Sequence, residues 1–200
     1  MIDQTLILSA TAHAKLAIKN SKFLTDKFKL ISDVLSADIL IKLKQFIDTV
    51  DEEEWKEVSR QEFYPRKGIN WISDTVVEEL HNVMDNQTDE INKHFNTTGN
   101  KFLGLALWRD TDGYEMPKHQ DNSIIDIAMQ IYLFDYPEKY GTTFIINEKS
   151  IDVPFKHNTG YLLNQQEYND RLVHWPTNKL AGSLPRYSLY LIWSTSTKRN

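Results

Sequence analysis

The sequence predicts an α+β protein, helices first and strands afterwards, and three observations predict it. Apolar residues recur at three- and four-residue spacing before residue 100. After residue 101 they gather instead into short runs rich in β-branched and aromatic residues. No repeat, low-complexity tract or Pro/Gly/Ser-rich linker separates the halves. The 200 residues therefore read as one domain, with residues 1–100 a helical support region and 101–200 a strand-built core.

Each element has its own signal. Ser36 can cap a helix in which Ile39, Leu40, Leu43, Phe46, Ile47 and Val50 share a face. Asp51 to Trp55 reads as a solvated charged turn, since runs of like charge are usually exposed. A second helix is expected over 74–95, where Thr75 and Glu78 have capping-box spacing and Val76, Leu80, Val83, Met84, Ile91 and Phe95 could line one side. FLGLALW, IAMQIYLF, TTFII, YLL and YSLYLIW then read as strands separated by turn-like segments, a series that suggests a sandwich or barrel.

Composition excludes several function classes. With no cysteine, disulfides, zinc–thiolate sites, iron–sulfur clusters and thiol nucleophiles are ruled out. Any metal must be held by His, carboxylate or backbone groups, which suits Fe(II) and a reducing cytoplasm. The net charge of −5 disfavours a broad nucleic-acid-binding patch. No apolar run approaches the ~20 residues needed to cross a bilayer. The short N-terminal apolar run lacks preceding basic residues and does not read as a secretory signal. A cytoplasmic location is the expectation. Phosphate loops, GxSxG elbows and HExxH motifs are absent.

One ordered constellation carries the chemistry: His119-x-Asp121, then His174, then Arg186-x-Ser188. Residues two apart on an extended chain leave the same face, so His119 and Asp121 can reach one ion. Two His and one carboxylate form the facial set that holds non-haem Fe(II) with open positions. A guanidinium beside a hydroxyl suits a dicarboxylate co-substrate such as 2-oxoglutarate. The bland alternatives are a solvated turn for Pro117 to Asn122 and an exposed strand start for Arg186, paired to a surface carboxylate. Against the second stands the cost of aiming a charge into a strand-rich core without an anion to meet it.

With these residues in place, the chain from 101 to 195 resembles the Fe(II)/2-oxoglutarate-dependent dioxygenases, in particular their prolyl 4-hydroxylase-like branch. LALWRDTDGYEMPKHQDN is similar to that branch's strand, glycine turn and metal-binding HxD; LVHWP carries the distal His, and RYSLYLIW looks like the last strand. The resemblance implies a double-stranded β-helix (jelly roll) with supporting N-terminal helices. It implies Fe(II) on His119, Asp121 and His174, and 2-oxoglutarate held by Arg186, Ser188 and Tyr132. It also implies O2 as oxidant, succinate and CO2 as co-products, and hydroxylation of an unactivated C–H. The branch points to a prolyl residue of a protein or peptide as substrate, with a small metabolite second and nucleic acid third. The chain departs from the pattern in keeping only Gly141 of the usual glycine pair and in a slightly longer Gly113–His119 segment.

A non-catalytic cupin-like metal-binding module is the reading from another class, and it would not need Arg186 with Ser188. Trp108 and Tyr114 could border the pocket, with core packing the expectation for Trp108 as for Trp193, while Trp175 could face substrate. His13, His81, His94 and His157 read as ordinary solvated residues. The polar stretches NQQEYNDR and TNKLAGSLP read as loops.

Overall fold

Strand alternation in the second half of the chain builds two antiparallel sheets facing one another. The computed structural model describes residues 22–58, 65–69, 75–167 and 171–195. In chain order the elements are β1 (Lys22–Thr25), β2 (Phe28–Ser32), α1 (Ala37–Thr49), β3 (Lys56–Glu57), β4 (Arg66–Ile69), α2 (Thr75–Asp85) and α3 (Thr88–His94). There follow β5 (Asn100–Asp110), β6 (Ile127–Tyr132), β7 (Thr142–Ile146), β8 (Lys149–Val153), β9 (Thr159–Asn164), β10 (His174–Pro176) and β11 (Arg186–Thr195). The large sheet has the order β1-β2-β9-β6-β11-β5-β4-β3, and the small one β10-β7-β8. A bridge between His119 and His174 adds the metal-motif segment beside β10. This is the jelly roll that the strand series and the resemblance imply.

The large sheet separates apolar from mixed residues by its period of two. Ile127, Met129 and Ile131 of β6 and Leu189, Leu191 and Trp193 of β11 belong to the core under the helices. Their alternates Ala128, Tyr132, Tyr190 and Ile192 face the small sheet and pack with Phe144, Phe155 and Tyr161. Ile39, Leu43 and Phe46 of α1 and Val76, Leu80, Val83 and Met84 of α2 close the outer face. Each such side chain removed from water contributes about 1.5–3 kcal/mol. Trp193 is fully buried against Phe102, their centroids 5.1 Å apart, as expected for a core residue.

Helix ends follow local chemistry. Ser36 Oγ accepts from the Ile39 N–H at 3.3 Å, capping α1 as its sequence predicts. The expected helix over 74–95 is instead two. The Gln87 N–H turns back to the Met84 carbonyl at 3.1 Å, tightening the end of α2, and Ile91 restarts the ladder on Gln87 O. The first hundred residues are also not helical alone. β1 pairs with β2, which pairs onto β9, and β4 and then β3 extend the sheet beyond β5. These strands are two to five residues long, too short to give a clear alternating signal. Asp51 to Glu54 are exposed as expected, with Glu52 bound to Arg109 and Lys67, but Trp55 of the same expected turn is buried in the core. The N-terminal apolar run lies outside the described residues.

Gly141 has a steric reason. A Cβ there would sit 1.8 Å from the Val153 carbonyl oxygen, so only glycine lets β7 start this close to the end of β8.

Candidate active site

The backbone bridge brings the segments that carry His119, Asp121 and His174 together. The His119 N–H donates to the His174 carbonyl at 3.0 Å and the His174 N–H returns to His119 at 2.9 Å. Residues opposed in an antiparallel bridge project to the same side. The two imidazole centroids accordingly lie 4.3 Å apart. Asp121, two residues past His119, shares that side, and its Oδ1 lies 3.7 Å from His174 Nε2. One donor atom from each of His119, Asp121 and His174 falls within 4.8 Å of the others.

Tautomers are set by the backbone. Nδ1 of His119 is 2.9 Å from the Pro117 carbonyl and Nδ1 of His174 is 3.2 Å from that of Leu172. A carbonyl accepts only, so each Nδ1 carries the proton and each Nε2 keeps its lone pair for a metal. Burial, followed by the neighbouring His174, lowers the His119 pKa and favours this neutral form.

Residues beyond the His119–Asp121–His174 set hold its side chains in place. Gln165 Nε2 donates to Asp121 Oδ2, leaving Oδ1 on the side of His174. Arg171, buried three residues before His174, donates to the carbonyls of Asp121, Asn122, Ser123 and Ile125. Gln120 Nε2 returns a bond to the Arg171 carbonyl at 2.8 Å. The segment carrying HxD is thereby tied to the segment carrying the distal His. Gln165 and Arg171 belong to the polar stretch expected to be a loop. Nothing local marks them, because their partners lie more than forty residues away.

A row of charges crosses the sheet at the other end of the site. Arg186 on β11 stands opposite Asp110 on β5, which stands opposite Arg66 on β4. Arg66 Nε and Nη2 donate to Asp110 Oδ1 and Oδ2 at 2.5 and 3.0 Å. Arg186 Nε and Nη2 donate to Oδ2 at 3.1 and 2.6 Å, and its Nη1 to the Tyr140 carbonyl. All three are buried, at 6, 0 and 4% exposure for Arg66, Asp110 and Arg186. Burial alone would push Asp110 up, but the two guanidiniums outweigh it and hold the carboxyl below the usual carboxylate range. Burial likewise opposes the Arg66 charge, and Asp110 outweighs it. Arg186 therefore meets an anion, as its inward position requires, and the anion is internal. Neither Arg66 nor Asp110 is marked in the sequence: one follows a proline in a segment without periodicity, the other opens a turn.

Ser188 and Tyr132 sit next to each other across β11 and β6, both fully buried. Ser188 Oγ accepts from Gln130 Nε2 at 3.0 Å, and Gln130 Oε1 accepts from the Tyr161 hydroxyl. The Tyr132 hydroxyl donates to Thr142 Oγ1 at 2.7 Å, and its ring stacks on Phe155 at 4.4 Å. Burial raises the Tyr132 pKa, so the phenol remains protonated.

These groups surround one cavity of about 330 Å³. His119, Asp121 and His174 border it with Arg66, Arg186, Gln130 and Thr142, while Ser188 and Tyr132 lie one layer behind. Trp108, expected in the core, instead borders the cavity, stacked on Tyr190 at 4.3 Å and under the Arg66 guanidinium at 3.9 Å. Its place follows from β5 alternation: Trp108 shares the inward face with Asp110, and Leu107 takes the helix side. Tyr114 and Trp175 also border it, Trp175 with Lys118 Nζ 4.5 Å above its ring. Two further histidines are not simply solvated: His81 packs edge-on against Phe102, and His94 Nε2 lies 2.8 Å from the buried Lys29 Nζ. His157 is exposed, and His13 lies outside the described residues.

No protein-family model and no curated protein matches the chain. Solved structures do match it. A prolyl hydroxylase from Trichoplax adhaerens, in complex with a hypoxia inducible factor oxygen degradation domain peptide fragment, superposes with a TM-score of 0.72 at 14% identity, over 100% of this chain and 96% of that one. A prolyl-4-hydroxylase from Pseudomonas putida gives 0.65 at 13%, over 94% and 98%. HygX from Streptomyces hygroscopicus, with nickel, 2-oxoglutarate and hygromycin B bound, gives 0.63 at 12%, over 98% and 88%. In fold, then, the chain is a double-stranded β-helix of the prolyl-hydroxylase kind. At these identities the likeness establishes the fold, and what the site does rests on its own residues.

Proposed function

We propose that the protein is an Fe(II)- and 2-oxoglutarate-dependent dioxygenase that hydroxylates an unactivated C–H. The observation that carries this is a single cavity bordered by a His–Asp–His donor set and a buried, charge-surplus pair of arginines. The donor set fits ferrous iron: two neutral imidazole nitrogens and one carboxylate oxygen, with no thiolate, in a facial arrangement that leaves positions for other ligands. The arginine end fits an acid whose far carboxylate needs a buried positive partner.

When bound, iron with 2-oxoglutarate supplies the dioxygen chemistry that turns C–H into C–OH, with succinate and CO2 as co-products. The protein's residues do the rest. His119, Asp121 and His174 hold the ion, and the carbonyls of Pro117 and Leu172 fix both imidazoles as Nε2 ligands. Gln165 presents the Asp121 carboxylate, and Arg171 locks the loop behind it. Arg186 orients the co-substrate's far carboxylate, while Ser188 and Tyr132 support that end through Gln130 and Thr142. Trp108, Tyr190 and Trp175 line the cavity and limit water.

A protein or peptide substrate, with a prolyl residue as target, is the first reading. Its support is the bound peptide in the Trichoplax adhaerens structure. A small metabolite is the second, supported by hygromycin B in HygX. No helix among the described residues is long and apolar enough to cross a membrane. We place the protein in the cytoplasm because a reducing compartment preserves ferrous iron. The test is succinate formation from 2-oxoglutarate by anaerobically iron-loaded protein on admission of O2, with a panel of prolyl peptides. Iron-dependent turnover supports the reading; iron bound at the triad without turnover or co-substrate binding points to the cupin-like module.

A further inference from the structure

The arginine row contains one more cation than it needs. A buried salt bridge between Asp110 and one arginine would already be neutral. Here two guanidiniums share that carboxylate, and Asp110 is the only carboxylate bonded to either among the described residues. Two positive charges and one negative leave a surplus of one, buried in the wall of the cavity. Such a charge is costly unless an anion arrives to meet it. Both arginines border the same cavity as His119 and His174. Each guanidinium has five N–H donors in a rigid fork. Asp110 takes two from Arg66, and among the described residues no acceptor is bonded to Arg66 Nη1. Packing against Trp108 and Tyr114, 3.9 and 4.5 Å from its ring centroids, holds the Arg66 fork in place.

We infer that Arg66 is a second anchor for the co-substrate's far carboxylate alongside Arg186, and that Asp110 sets the charge selectivity of this subsite by cancelling one of the two guanidinium charges. The inference rests on the dioxygenase reading above. Asp110 separates two cations that would otherwise repel, orients both forks, and leaves a net charge matched to one carboxylate. An end group carrying about −1.5 to −2, as a phosphate-like group does at neutral pH, is mismatched. The subsite is thus tuned for a single carboxylate over a more highly charged terminus, with the aromatic walls of Trp108 and Tyr114 fixing the reach of Arg66.

The test is calorimetric titration of the Mn(II)-loaded full chain with three 2-oxo acids. These are 2-oxoglutarate, 2-oxobutyrate (which lacks the far charge) and 2-oxo-4-phosphonobutanoate (which carries a phosphonate there). Arg66→Met is expected to weaken 2-oxoglutarate by about tenfold or more, the scale of a lost charged hydrogen bond, while 2-oxobutyrate is unchanged. Asp110→Asn is expected to shift preference toward the phosphonate by about tenfold, a reversal that loss of structure alone would not produce. Arg66→Lys, which keeps the charge without the fork, serves if Arg66→Met does not fold, and should give a smaller loss confined to the ligands with a charged end. Equal losses for 2-oxoglutarate and 2-oxobutyrate, or no loss for either, would overturn the role of Arg66. An unchanged preference in Asp110→Asn would overturn that of Asp110. If wild-type protein with metal binds none of the three acids, the dioxygenase reading itself falls, an outcome distinct from failure of the variants alone.

Discussion

The two faces of the large sheet are made by the same strands and obey opposite rules. On the helix-covered face, Leu189, Leu191 and Trp193 of β11 are fully buried among apolar neighbours. On the inner face of the same strand, Arg186, Ser188 and Tyr190 meet Asp110, Gln130 and Trp108. The outer face is non-directional, so many apolar side chains of similar volume would serve it. The inner face is directional: Asp110, Ser188 and Tyr132 each have a specific polar partner, and loss of one leaves another unsatisfied in a buried place. Stability is concentrated on one face and chemistry on the other, one residue apart in sequence.

That contrast can be broken most severely at the proposed metal ligands. His119→Ala or Asp121→Ala should abolish succinate formation while the far-ultraviolet dichroism and melting temperature remain near wild type. Retention of full turnover would remove these residues from the donor set. On the opposite face, Leu189→Ala should cost about 2–5 kcal/mol of unfolding free energy, measured by urea titration. Metal stoichiometry of the folded fraction should be unchanged.

Supporting residues lie between the extremes. Gln165→Ala frees the second oxygen of Asp121 and should weaken Fe(II) or Mn(II) binding by about 10–100-fold, with little change in melting temperature. A normal metal affinity would reduce Gln165 to packing. A charged side chain on β2 departs from the rule of the outer face. Lys29 is 1% exposed, and burial lowers its pKa to about 8. Its unfolded value is near 10.5, so below about pH 8 the folded state bears a buried charge that the unfolded state carries in water. Between about 8 and 10.5 the unfolded chain binds more protons, and stability rises with pH. Lys29→Met should flatten that rise and add on the order of 1 kcal/mol near pH 7. An unchanged pH profile would show that Lys29 titrates normally. The smallest effect is expected at Ser188→Ala, where loss of one neutral hydrogen bond should weaken 2-oxoglutarate by a few-fold, ~1 kcal/mol.

The two faces also differ in how far they could be read from sequence. The outer face declares itself through periodicity: Leu43, Leu80, Met129 and Leu189 occupy the positions their spacing predicts. The donor set is legible because His119 and Asp121 are neighbours on one strand face and LVHW has strand character. Arg66 and Asp110 are not legible, because a residue's charge says nothing of a partner 44 positions away on a neighbouring strand. Gln165 and Arg171 look like loop residues until folding carries them behind Asp121. Trp108 was placed on the wrong face because alternation in a continuous apolar run such as LGLALW has no phase of its own. The phase comes from Asp110 pointing inward. The break between α2 and α3 was hidden for a related reason, since the apolar pattern continues from Met84 to Ile91 in register.

The central claim, that the triad and the arginine row serve one metal-dependent co-substrate site, is tested most directly by anaerobic titration of the Fe(II)-loaded protein with 2-oxoglutarate. A weak visible metal-to-ligand charge-transfer band should saturate in wild type and be lost in Arg186→Ala at the same concentration. Bound iron that gives no band, or a band of full strength in Arg186→Ala, would contradict that claim.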